Sequence, residues 1–419
     1  MCNSKAKLCT SVERYRNLLI TVTQKLVRAA SPNPPLNTVH VVEVISSFLE
    51  NIPGVEVTCY ETSPGLINTI ALLKSKKPGR RLIFNGHLDT YPLREDLAWS
   101  ESPTSGLLKE GRIYGRGVSD MKGGIAASMV AFLVLAENTE IWNGEIALVL
   151  AGDEESMGNL GANWLINNIE FARGDAVICG DVGSPLVIRF GEKGMLWFEI
   201  TATGLSAHGA HVHNGINAID RLRLALDELK HLEEMEVVTP SEIARAIETS
   251  SALSESLSGE GESETLRRVT VNIGTIAGGV SPNLIPSDAR AQGDIRIPVG
   301  LSTKQISEEI ERLLKPIGGV RWRFTRMFEP TFTSPSHEII TKALKASSEV
   351  IGRRATANMR VGASDTRLFR LSGIPSVVVG LTPNNMGAAD EYVEVEELEN
   401  VCKIHTLIAY NFLSEQAVA

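Results

Sequence analysis

The residues of this 419-residue chain whose types and spacing could do chemistry fall in four short segments. They are His87 and Asp89 in NGHLDTYP, Asp120 in GRGVSDMKGG, Glu154 and Glu155 in AGDEES, and Asp181 in CGDVG. Successive segments stand about one strand–helix step apart, roughly 30 residues. Carboxylates with an imidazole suit a borderline divalent ion such as Zn²⁺, Mn²⁺ or Co²⁺ and do not decide among them. Gathered without a cation, these acids would raise one another's pKa, and an ion removes that cost. Any one acid alone reads as a solvated loop residue or a helix cap. Four groups at four successive strand ends read as a metal centre. Glu154 and Glu155 diverge as neighbours, so one can bind the ion while the other takes a proton from an activated water. Asp89, two residues beyond His87, is placed to orient that imidazole.

The elements that must position these residues are legible as apolar runs and breakers. The spacing predicts a helix over 12–30, stopped by the proline cluster at 31–35, and a second over 38–50. Strands are predicted at 55–61, 68–74, 80–90, 145–155 and 175–181, with a strongly apolar helix at 125–138. Such near-continuous apolar strands alternating with helices predict an α/β, mostly parallel sheet, with chemistry at the carboxyl ends of its strands. From about residue 191 the texture changes to a β-α-β-β-α-β order, a ferredoxin-like α+β unit. Its strands are expected at 194–204, 267–278, 289–298 and 320–328, and its helices at 216–234 and 302–317; a Ser/Glu/Gly-rich stretch at 249–264 reads as a mobile insertion. A helix at 337–350 and a strand at 375–381 return to the first texture. The expected domains are therefore 1–190 with 331–419, interrupted by 191–330.

Composition narrows the function classes. With 43% hydrophobic and 22% charged residues the chain is an ordinary globular one, and its net charge of −9 with no basic run argues against nucleic acid. Five scattered cysteines with no C-x-x-C pair fit free thiols in a reducing compartment. The first residues lack the apolar core of a signal peptide, and no uncharged apolar run approaches the ~18 residues that would span a bilayer. A cytoplasmic protein without membrane contact is expected.

Read together, GHLDTYP, GRGVSDMKGG and GDEESMG resemble the metallohydrolases that include acetylornithine deacetylase, succinyl-diaminopimelate desuccinylase and carboxypeptidase G. The resemblance covers nearly the whole chain. It implies His87, Asp120 and Asp181 around one metal, Asp120 bridging to a second held also by Glu155, Glu154 as the base and Asp89 as the orienter of His87. It implies that the inserted lid domain forms a homodimer or higher homo-oligomer, and that His208 in GLSAHGAHVHNG reaches the partner's active site to support the oxyanion. Asn283 in SPNLIPSDAR and Arg296 in GDIRIP match residues that grip a substrate carboxylate, and Gly362 and Ser364 in VGASDTR match a loop lining the pocket. One departure stands out. The family places its last metal-binding histidine four residues before the glutamate of a C-terminal acidic-aromatic stretch, and here that position is Gly387. One firmly bound ion, with a weak second, is expected. His405, on the C-terminal helix, is expected at the surface.

The leading expectation is a metal-dependent hydrolase of a carbon–nitrogen bond in a small carboxylate-bearing substrate. A one-ion centre also fits an aminohydrolase, as in the similar branch that deaminates 5-nitroanthranilate. A non-catalytic homologue binding a small acid is the third reading, opposed by Glu154, His208 and Arg296. His211 and His213 read as surface or interface residues. Arg360 and Arg367, flanking GASD, read equally as anion binders or structural ion pairs, and Trp99 as ordinary packing.

Overall fold

The computed structural model describes residues 2–94 and 96–414 and divides into two compact units. The first comprises residues 1–190, 332–358 and 364–419, and the second residues 191–331 and 359–363.

In the first unit, strands Glu145–Ala151, Arg81–His87, Ala176–Cys179 and Ser376–Val378 lie side by side and parallel. All but the leading residues of these strands are buried, as apolar runs covered on both faces must be. The expectation of a mostly parallel sheet is corrected at its margins: Val55–Ser63 and Leu66–Lys74 join antiparallel, and Leu66–Lys74 pairs antiparallel with Glu145–Ala151. Two residues between neighbouring strands allow a hairpin but not the long crossover that a parallel pair needs. A small sheet of Leu107–Lys109, Arg112–Tyr114 and Tyr392–Glu394 escapes the sequence reading because its strands have three residues each.

Helix Gly123–Ala136 is apolar all round and accordingly buried. It packs against Val395–Ser414, Cys2–Arg14 and Arg16–Arg28, so the expected opening helix begins ten residues earlier than 12 and breaks at Tyr15. The stretch Val118–Ala136, long and apolar enough to cross a membrane, is 94% buried within the fold. A Cβ on Gly124 would lie 1.9 Å from the Gly180 carbonyl oxygen, so only glycine lets this helix approach the segment that leads to Asp181.

His405 is corrected from surface to core. It is fully buried, with Nε2 2.6 Å from the Val379 carbonyl and Nδ1 3.1 Å from Ser128 Oγ. The helix Val395–Ser414 is covered on nearly all sides, so a helical position here does not mean exposure.

In the second unit, strands Thr270–Gly278, Asp288–Ile297, Gly194–Thr203 and Val320–Phe328 form an antiparallel sheet in that order. Leu196, Phe198 and Ile200 pack against Leu222 of helix Ala218–Lys230 and Ile306 and Ile310 of helix Thr303–Leu314. Ser302 and Gln305 close a capping box on the latter. The 249–264 stretch is not a mobile insertion: helices Ser241–Ser258 and Glu262–Arg267 occupy it. Ile243, Ile247, Ser250 and Ser254 recur at helical spacing and are buried, so the serines serve as small contact residues.

Burial lowers the His405 pKa to about 4. Below pH 6.5 the unfolded chain takes a proton that the folded chain refuses until about pH 4, so stability is full above 6.5 and falls through that window. The loss is about 3 kcal/mol. Urea unfolding at pH 7, 6 and 5 checks it: His405→Asn should flatten the acid slope by about one proton, and an unchanged slope would refute the assignment.

Candidate metal centre and active site

Strand register brings the segments together. His87 ends its strand level with Ala151 of the parallel neighbour, and the chain turns at Glu154–Ser156 just beyond. Asp181 follows Ala176–Cys179 by two residues. Asp120 sits in a distorted turn, Val118–Lys122, at φ −123° and ψ 91°, and its peptide bond to Met121 is cis. One ligand atom each from His87, Asp120 and Asp181 lies within 4.8 Å of the other two, and all three residues are buried. His87 Nε2 stands 2.9 Å from Asp120 Oδ1.

Asp89 does more than orient His87. Its backbone carbonyl, 2.9 Å away, is the nearer partner of Nδ1, and its carboxylate stands at 3.5 Å. A proton on Nδ1 leaves the Nε2 lone pair free for a cation. The Asp89 carboxylate accepts the N–H groups of Glu154 and Glu155, each at 3.1 Å, and the side-chain amide of Asn33 at 2.9 Å. Asn33 also donates to Ser156 Oγ at 2.6 Å. Its place in a proline cluster that reads only as a helix stop hides this role.

The electrostatics follow from crowding. Burial pushes Glu154 up to about 7, tempered by His87 and Arg367, and burial with Asp120 pushes Glu155 up to about 10. Burial opposes a charged His87, yet Asp120 and Asp89 carry its pKa well above the ordinary value. Glu155 Oε1 is buried with no hydrogen-bond partner. An imidazole nitrogen, two converging carboxylates and an unpaired carboxylate oxygen form a donor set that fits a divalent cation.

A second carboxylate shapes the Asp120 loop. Glu391, fully buried, pairs with Arg116 at 2.8 Å and accepts the N–H groups of Gly117, Ser119 and Asp120 at 3.2, 3.0 and 3.4 Å, and the Ser119 hydroxyl at 2.8 Å. The sequence marked Glu391 only as a reference point. Gly387, at φ +75° with open space around a would-be Cβ, gives its carbonyl to Arg116. His405, engaged in the core, does not stand in for a ligand there. Trp99 lies over the Arg116 guanidinium at 5.0 Å.

Arg367 is buried, and its Nη1 lies 3.5 Å from Glu154 Oε1. Ser364 is buried with its hydroxyl 2.5 Å from Thr366 Oγ1. His208, Asn283, Arg296 and Gly362 belong to the second unit. His208 is exposed, and its Nδ1 accepts the Ala210 N–H at 3.1 Å, which puts its proton on Nε2. Its ring is 5.8 Å from that of His211, itself 5.9 Å from His213. The Asn283 carbonyl accepts the Gly209 N–H at 2.7 Å. Arg296 pairs through Nε with Asp294 at 2.9 Å, while its Nη1 is buried without a partner.

Ligands of this type beside a spare acid on a rim of parallel strands define a class, that of metal-dependent hydrolases acting on amide or peptide carbon–nitrogen bonds. The chain belongs to peptidase family M20/M25/M40, whose pattern matches residues 83–411. It is 28% identical to a succinyl-diaminopimelate desuccinylase of Methylobacterium radiotolerans over 341 residues, 78% of this chain and 80% of that one. An M20 family metallo-carboxypeptidase from Sulfolobus solfataricus shares the fold, with a TM-score of 0.78 at 19% identity over 94% of this chain and 99% of that one. So does a dinuclear metal-binding M20 peptidase of Bacillus subtilis, with a TM-score of 0.67 at 14% identity over 96% and 99%. These relatives favour amide hydrolysis over ring deamination or binding alone.

Removing Glu391 strips three backbone amides of this acceptor and a buried guanidinium of its ion-pair partner. Glu391→Ala should weaken metal affinity about 10–100-fold, read by competition with a chromophoric chelator. Unchanged affinity would mean that the Asp120 loop keeps its shape unaided.

Proposed function

We propose that the protein hydrolyses the amide bond of a small N-acyl amino acid, with Glu154 as general base. The observation that carries this reading is the buried Glu154 carboxylate in the electrostatic field of three ligand residues whose donor atoms lie within 4.8 Å of one another. His87, Asp120 and Asp181 would hold one divalent ion, Zn²⁺, Mn²⁺ or Co²⁺, firmly. Asp120 and Glu155 would hold a second weakly, because Gly387 has no side chain to offer. An ion so held supplies Lewis acidity, polarising the carbonyl and making water acidic near neutral pH. Glu154, whose carboxyl burial pushes up, takes a proton from the attacking water and returns it to the departing nitrogen. Asp89 keeps Glu154 and Glu155 in place through their amides. His208 would reach the active site of a partner copy and donate a hydrogen bond from Nε2–H to the developing oxyanion there.

Arg296 and Asn283 would grip the substrate carboxylate, with Gly362 and Ser364 on the pocket loop, since a guanidinium fork suits a carboxylate. The desuccinylase name of the relatives supports an N-acyl substrate. Four free cysteines among the described residues support a reducing, cytoplasmic setting. A homodimer through the second unit is supported by one of its two edge strands, Thr270–Gly278, where Ile276 is 64% exposed and nearby Val280 90% exposed. Sedimentation should give twice the chain mass, and Ile276→Lys should halve it; a monomeric parent would refute the dimer.

Glu154→Gln, assayed on N-succinyl-diaminopimelate, N-acetyl amino acids and dipeptides, should lower turnover roughly 10²–10⁴-fold. Parent and variant should each keep one ion per chain after dialysis. Near-parental rates would remove Glu154 from the mechanism, and two tightly held ions would overturn the single-ion reading.

A further inference from the structure

We propose that Arg367 is the positioning residue for Glu154, gripping both its carboxylate and the turn that carries it. Glu154–Ser156 is a single turn of 3-10 helix that closes on Met157, a side-chain-bearing residue in the left-handed region at φ 84°. Such a conformation persists only where its surroundings enforce it. Arg367 Nη2 donates to the Met157 carbonyl at 2.8 Å, and Nη1 donates to the Ser364 carbonyl at 2.6 Å while standing 3.5 Å from Glu154 Oε1. The guanidinium thus ties the end of the turn to a segment more than 200 residues away and sets a positive charge beside the acid. Asp89 holds the start of the same turn through the Glu154 and Glu155 amides, so the turn is clasped at both ends.

Two observations separate this role from anion binding, the other reading of Arg367. The residue is 1% exposed, so no substrate anion meets it without displacing protein. Nearby Asp365, also buried, has no hydrogen-bond partner on either carboxylate oxygen, so it does not draw the guanidinium away by a hydrogen bond. A lysine would keep the charge but could not span two carbonyls and a carboxylate with one ammonium.

The proposal rests on Glu154 as the base, so the test is a double-mutant cycle on metal-loaded enzyme with N-succinyl-diaminopimelate as probe. Arg367→Met should lower kcat about 100-fold, the scale of losing a well-placed base. KM should stay within about threefold of the parent, the sign of an interaction used in the transition state, and metal content should match the parent. Arg367→Lys should fall between parent and Arg367→Met, and it carries the comparison if the methionine variant fails to fold. Added guanidinium should raise the rate of Arg367→Met. In a Glu154→Gln background, Arg367→Met should cost nothing further. An unchanged kcat, a KM increase alone, or a full additional loss in that background would each overturn the proposal. A Glu154→Gln single variant with near-parental rate would instead overturn the proposed function.

Discussion

Negative charge is confined at the strand ends of the first unit with too little water to dissolve it. Asp120 and Asp181 converge with the His87 imidazole, and burial beside them lifts Glu154 to about 7 and Glu155 to about 10. Such an arrangement persists only with compensating charge and donors. His87, Arg367 and the backbone amides of the loops supply part of that compensation. A divalent cation is the remaining part, which is why the acids are assembled here at all.

Two kinds of carboxylate share the pocket and should not be confused. In the proposed function Asp120, Asp181 and Glu155 would offer oxygens to a cation. Asp89 and Glu391 spend theirs on backbone N–H groups, and so determine where the other carboxylates point. A buried acid that accepts several amides acts as a mould for a loop, and its loss acts through neighbours rather than by removing a ligand.

Much of this was legible in the sequence because ligands at strand ends sit at fixed positions relative to apolar runs. His87, Glu154 and Asp181 each stand at the end of a buried apolar strand, so strand and candidate site residue are read together. Arg367 and Glu391 were not legible as partners of this site. They are 213 and 271 residues from the groups they serve, and nothing local to either announces its target. Asn33 was hidden inside a proline cluster whose only local message is that a helix stops. The 249–264 stretch misled because serine and glutamate are common in loops, yet Ser250 and Ser254 are small enough to line a helix contact. His405 misled in the opposite sense, since a polar side chain on a helix is read outward unless its carbonyl partner, Val379, is known.

The long separation between the ligands and their clamps bears on the order in which the pocket becomes competent during synthesis. A ribosome that has delivered residue 181 has already made every ligand-bearing segment, while Arg367 and Glu391 are still untranslated. The nascent chain therefore carries these side chains and Asp89 before it carries the two late residues that complete their support. Maturation of the centre becomes a late event, timed by arrival of the final quarter of the polypeptide rather than by completion of the strands that hold the donors.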